Sequence, residues 1–440
     1  MDKLRLLLLL SLLACNRISY TASEEYPPIV PDCVGVTVPE GMPPMTFEMA
    51  DGRPFKVERR RVADTVFYSV SAWNPATGKG VRYAPFPVYV SHDPIDPYIA
   101  YRLIEPSYEG WKEMGLYSRD LGSYREKAIV TNDATGGGCV NCHTFRGGNP
   151  SDMLFHARGA GGGTVFALEG KARIINLATV GPRKQGVYPA WHPDGRYIVF
   201  SSNSTQQCFP IAGSQQVEVY DNYSDLILMD WQTDSVYVWP PLCEETRFET
   251  FPAWNADGSR LYYCVADSVS NVVENRSRVR YRLASVGFAD GFFTGEPETV
   301  WQNDTVSVSF PRISGKWLLF TGAAYGTFPI WHREADLYLM DLEDGSVVPA
   351  SELNSPDTES YHSWSSNGRW VVFSSRRLDG RYTRLFIAHF DGEGRFGKPF
   401  LLPQKSYAHN VQRLKSYNVP EFVLGEPASR RREVSKLFAQ

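Results

Sequence analysis

The sequence predicts an all-β fold, a six-bladed β-propeller, from three observations. A hairpin signature recurs through the second half of the chain. Its copies are spaced as four-stranded units would be. The composition, with 11 Trp, 24 Tyr, 24 Phe, 36 Gly and 30 Pro in 440 residues, favours strands punctuated by turns over a helical bundle.

The copies are YPAWHPDGRYIVFSSN from 188, FPAWNADGSRLYYC from 251 and YHSWSSNGRWVVFSS from 361, with a shortened FPRISGKWLLFTG from 310. Each opens on an aromatic residue, and three carry Trp191, Trp254 or Trp364 before an Asp-Gly or Asn-Gly turn. Such dipeptides adopt positive φ at little cost, so each copy reads as a tight hairpin with an apolar strand behind the turn. A further strand follows each copy: DLILMDW from Asp225, RYRLASV from Arg280, DLYLMDL from Asp336 and RLFIAHF from Arg384. The copies start 63, 59 and 51 residues apart, a period that suits four-stranded blades with variable loops. Upstream, 139–187 has the length of another blade, and DPYIAYRLIEP with EMGLYSRDLGS supplies the middle strands of a first one. In a closed propeller the chain ends must meet, so SYNVPEF at 416–422 is expected to provide the innermost strand of blade 1.

These repeats resemble those of the TolB-like β-propeller family, whose blades carry a Pro-x-Trp-Ser-Pro-Asp-Gly turn before an apolar strand. Trp191 to Gly195, Trp254 to Gly258 and Trp364 to Gly368 match with one or more substitutions. The resemblance implies the fold and is nearly silent on function, because propellers host enzymes, scaffolds and binders alike.

The N-terminus MDKLRLLLLLSLLACN places Lys3 and Arg5 ahead of a leucine-rich run from Leu6 to Leu13, too short to span a bilayer, followed by the small Ala14. Residues 1–14 therefore read as an export signal. Leu12-Leu13-Ala14-Cys15 resembles a bacterial lipobox, which implies lipidation of Cys15 and a periplasm-facing lipoprotein held at a membrane, the outer favoured over the inner. An ordinary secretory signal is the alternative. Residues 15–54 are expected to form anchor and tether, 55–425 the propeller and 426–440 a tail. Forty-five basic against 49 acidic residues give a net charge of −4. The run Arg59-Arg60-Arg61 reads as a solvated strand edge, and nothing points to nucleic acid.

The residues that carry chemistry lie in GGGCVNCHTFR at 136–146. Cys-x-x-Cys-His is the attachment sequence of a c-type haem: Cys139 and Cys142 can add to the two vinyl groups of one porphyrin while His143 ligates the iron. A zinc site would need a second ligand pair, a redox dithiol a βαβ setting, and a Cys139–Cys142 disulfide a strained small ring. The sixth iron ligand is open between Met153 and His156, which in a strand should point to opposite faces. His92, His192, His332, His362, His389 and His409 share what remains. Aligned with the next blade, CVNCHTF becomes the innermost strand of blade 2, with Cys142 in place of the repeat tryptophan. Gly136 to Gly138 and Gly161 to Gly163 would let a macrocycle approach. Cys208 and Cys243, in loops of one blade, suggest a disulfide. The chain is similar to exported TolB-like proteins with an inserted cytochrome c motif, which implies covalent haem c and a role in electron transfer with a protein redox partner. A propeller-type enzyme, an oxidoreductase or a hydrolase or lyase, and a scaffold with structural haem are the alternatives.

Overall fold

The computed structural model describes residues 18–105, 113–159, 161–177, 186–209 and 217–439. The expected export signal and Cys15 lie outside them. Two compact units divide the chain, the first comprising 1–35 and 47–90, the second 36–46 and 91–440. Among the described residues no helix is long and apolar enough to cross a membrane.

The first unit holds a mixed sheet. Thr65–Asn74 pairs antiparallel with Phe55–Val62, Lys79–Arg82 and Phe86–Ser91, and Ser19–Ala22 pairs parallel with Lys79–Arg82. Phe47, Phe55, Tyr68 and Phe86 stack over it with ring centroids 5.2–6.2 Å apart. This corrects two sequence expectations. The segment 15–54 contributes strands where a tether was expected, and 55–91 belongs to this sheet where a start of the propeller was expected. The aromatic face built by Phe47, Phe55, Tyr68 and Phe86 gives these strands a core of their own. Arg59, Arg60 and Arg61 are exposed on a strand that pairs only with Thr65–Asn74, and charge there discourages edge-to-edge pairing.

The second unit contains six four-stranded antiparallel sheets. Blade 1 joins Ser416–Val423 to Tyr98–Ile104, Gly115–Asp120 and Glu126–Thr131, so the last strand of the chain closes the ring as the sequence predicts. Blade 2 is Val140–Phe145, Met153–Ala157, Gly163–Leu168 and Lys171–Ile175. Blades 3 to 6 begin with Val187–Trp191, Arg247–Trp254, Ser307–Ser314 and Glu359–Trp364. These innermost strands touch one another in sequence around a closed circle. Gly195, Gly258 and Gly368 close the hairpins at φ between 66° and 75°, where residues with a Cβ are strained.

Two of the three repeat tryptophans tie blades together, while Trp191 Nε1 is buried without a hydrogen-bond partner. Trp254 Nε1 donates to the Ala190 carbonyl at 3.2 Å and Trp364 Nε1 to the Arg312 carbonyl at 3.1 Å, each reaching the preceding blade. The segment 426–440, expected as a tail, contains the helix Arg431–Phe438. Its Val434 is buried with Leu116, Val140 and Met153 in the core between blades 1 and 2. Cys208 and Cys243 are not joined, contrary to the expectation: Cys208 Sγ lies 3.5 Å from Tyr220 Oη, and Cys243 Sγ donates to the Leu226 carbonyl at 3.2 Å.

Candidate functional site

Every innermost strand is bulged at one point. The pairing register shifts there, and the first bulged residue has φ between 47° and 51°: Cys142, Tyr188, Phe251, Phe310, Tyr361 and Val419. A left-handed conformation costs a residue with a Cβ roughly 1–2 kcal/mol. Here it turns six equivalent side chains toward one another at the centre of the propeller. Tyr188, Phe251, Phe310 and Tyr361 follow in contact, with successive centroids 4.5, 4.0 and 4.7 Å apart. They form an aromatic plug.

This register corrects the alignment read from sequence. Cys142 stands where other blades have Tyr188 or Phe251, and Phe145, three residues on, stands at the tryptophan position. The next residue in the bulge is proline in four blades, at Pro189, Pro252, Pro311 and Pro420. It is histidine in two, His143 and His362.

Cys139, Cys142 and His143 all line one cavity of about 710 Å³ that runs along the propeller axis, within the roughly 300–1,000 Å³ of small-molecule sites. Both thiols are free. Burial pushes the Cys142 thiol up, and the nearby Arg102 and Arg158 charges oppose the shift. His143 is buried and neither ring nitrogen has a hydrogen-bond partner. Burial, reinforced by Arg102, lowers its pKa to about 3, and the Ala100 backbone only partly offsets this. The imidazole is therefore neutral, the form that ligates metals. His362 differs, for its Nε2 donates to the Leu319 carbonyl at 2.8 Å. Ala100 takes the place of Leu319 in blade 1, and its backbone lies beside the His143 ring without a hydrogen bond of full geometry.

The expected sixth ligands do not join this group. Met153 is fully buried in the core between blades 1 and 2, together with Phe155 and Ala157 of its own strand. His156 pairs with Asn141 and Thr164, and burial lowers its pKa to about 4. Their opposite facing follows from strand alternation, and neither lines the cavity. Met114 does, its sulfur accepting the Val140 N–H at 3.4 Å. Among the described residues no group of three or more His, Cys, Asp or Glu is spaced to hold a metal ion. The glycines around the motif have backbone reasons of their own. Gly136 and Gly137 have φ of 67° and 85°, and a Cβ on Gly138 would strike the Arg158 carbonyl.

Four arginines also line the cavity and carry no signal in the motif, namely Arg102, Arg158, Arg312 and Arg376. Only the strand register brings them together. Glu421 also lines the cavity, accepting from Thr144 Oγ1 and the Phe145 N–H at 3.0 Å each, and burial raises its pKa to about 7.

No family model matches the chain, and no curated protein sequence does. Among solved structures, similarity is found to a hypothetical selenium-binding protein from Sulfolobus tokodaii at 12% identity, covering 88% of this chain and 96% of that one with a TM-score of 0.45. The oligogalacturonate lyase of Vibrio parahaemolyticus matches at 13% identity over 70% and 75% of the two chains, TM-score 0.40. The β-propeller domain of the Trilobed protease from Pyrococcus furiosus matches at 14% identity over 80% and 98%, TM-score 0.35. The propeller of this chain is established by its own six sheets.

Proposed function

We propose that this protein is an exported haem c β-propeller lipoprotein that transfers electrons to or from a docked protein partner. The observation that carries the reading is the convergence of Cys139, Cys142 and the unpartnered His143 on one axial cavity. The donor set fits the group: two free thiols three residues apart, a neutral imidazole, and room. Each thiol would add across one vinyl group, its sulfur bonding one carbon and its proton ending on the other, with no external oxidant needed. His143 would turn from the groove beside Ala100 to reach the iron. Bound there, the group supplies a one-electron couple.

The chain's own residues set the surroundings. Tyr188, Phe310 and Tyr361 of the aromatic plug supply an apolar wall to the cavity. The long hairpin Tyr197–Cys208 and Glu218–Asp230 continues past Val187, the first residue of its innermost strand, so Thr205, Gln207 and Val219 also line the cavity. Partner docking is assigned to the mouth beside this hairpin. Lipidation at Cys15 would hold the protein at a membrane surface.

The test is a pyridine haemochrome spectrum of full-length protein from a host with cytochrome c maturation. A c-type spectrum that survives denaturation, and is lost in Cys139→Ser/Cys142→Ser, is expected. Its absence from wild type would overturn the reading. Carbon monoxide binding by the reduced protein would instead favour an enzyme with an open iron position.

A further inference from the structure

The cavity's lining runs between two ends of the propeller axis, one where the innermost strands begin and one at the hairpin turns. Strand register assigns three arginines to the first. Arg158 N–H bonds the Cys139 carbonyl at 2.8 Å, and Arg376 N–H bonds the Thr358 carbonyl at 3.1 Å. Cys139 and Thr358 each lie three residues before the bulged residue of their strand. Arg158 in blade 2 and Arg376 in blade 6 therefore occupy the same level. Arg102, in the intervening blade 1, lies opposite Asn418 and one pleat deeper. Three consecutive blades thus present a guanidinium from the second strand, on the side of the mouth that carries Cys139 and Cys142.

None of the three makes an ion pair among the described residues, and the Nε of each is buried without a hydrogen-bond partner. Arg376 is 6% exposed, and its guanidinium lies 3.7 Å from the Trp331 ring centroid. One Nη of Arg102 reaches the Asn418 amide oxygen at 3.2 Å in the orientation that satisfies both groups. Asp96, Glu105 and Glu421 line the cavity, Asp96 held by Ser366 and Glu421 by Thr144 and Phe145, and Asp357 and Asp379 act on Arg376 from nearby. Burying guanidinium nitrogens without acceptors is costly unless a ligand completes them.

We infer that Arg102, Arg158 and Arg376 form a binding site for the carboxylates of a polyacidic ligand seated in the axial cavity. Guanidinium forks match carboxylates in bidentate geometry. Spread over three blades, they suit two carboxylates better than one. Two sources offer this chemistry: the propionates of a porphyrin, which rests on the haem reading above, and a free polycarboxylate solute, which does not.

The experiment uses full-length protein from a host lacking cytochrome c maturation, titrated by fluorescence and calorimetry. The probes are mesoporphyrin IX, its dimethyl ester, and tricarballylate. Mesoporphyrin IX has neither iron nor vinyl groups, so its binding is independent of thioether formation and iron ligation. Failure here is thus distinguishable from failure of the haem reading. The diacid is expected to bind about tenfold or more tightly than the dimethyl ester, and to lose about tenfold or more in Arg158→Gln/Arg376→Gln, as for loss of charged hydrogen bonds. Arg158→Lys/Arg376→Lys should retain part of the affinity. Tricarballylate binding with the same arginine dependence, without porphyrin binding, would identify a free acid as the source. Two results overturn the inference: neither acid binds wild type, or binding is indifferent to both esterification and the arginine substitutions. The ester comparison needs no variant, so a misfolded double substitution leaves the test intact.

Discussion

Glu421 links two blades through one carboxyl group, because Thr144 Oγ1 and the Phe145 N–H, just after His143, both donate to it. Burial raises its pKa from 4.5 to about 7, so the folded state holds this proton to higher pH than the unfolded chain does. Its contribution is most favourable below about pH 4.5 and is lost as pH rises through about 7. The upper bound is roughly 3 kcal/mol, at 1.36 kcal/mol per pKa unit. Glu421→Gln should therefore gain stability relative to wild type as pH goes from 5 to 8, which thermal melts across that range would show; a constant difference would contradict the burial argument. Met153 offers a second check. As a core residue remote from the cavity lining, Met153→Ala should cost about 2–5 kcal/mol in denaturant melts and leave any haem spectrum unchanged. At this scale the sequence made Cys139, Cys142 and His143 legible, because their spacing is chemistry. It hid the conformation of Cys142, since the bulge holds Cys, Tyr, Phe and Val alike and positive φ leaves no mark in those residue types.

Blades are joined by tryptophan indole bonds and by the returning C-terminal strand. Trp254→Phe removes the bond to Ala190 but keeps most of the buried ring, and should cost about 1 kcal/mol. Trp254→Ala should cost about 3–5 kcal/mol, and equal losses for the two would mean that the hydrogen bond dominates. Deleting the chain after Leu414 removes Ser416–Val423 and the helix that buries Val434. Circular dichroism should then show loss of the cooperative transition, whereas an unchanged midpoint would show that blade 1 closes without it. The closing strand was legible because a propeller must join its ends and 416–422 alternates suitably. The N-terminal strands were not, because Ser19–Ala22 and Thr37–Pro39 of the mixed sheet span four and three residues, and Ile29–Val30 and Glu48–Met49, which pair with each other, two each, too few to show a period. The strands at 55–91 are legible as strands, but their partner sheet is not.

A six-bladed propeller supplies an axis and two mouths, and the fold alone does not choose a chemistry for them. This chain lines one axial cavity with two thiols, a neutral imidazole and several arginines. Haem attachment would use the first three. The arginines became visible only when register aligned blades 6, 1 and 2, since no spacing in the sequence connects Arg102, Arg158 and Arg376. The most direct measurement of the central claim is the intact mass, under denaturing conditions, of the mature protein from a host with working cytochrome c maturation. The account predicts a mass higher by one haem, lost in Cys139→Ser/Cys142→Ser. A wild-type chain of unmodified mass, in a host that loads a control cytochrome, would contradict it.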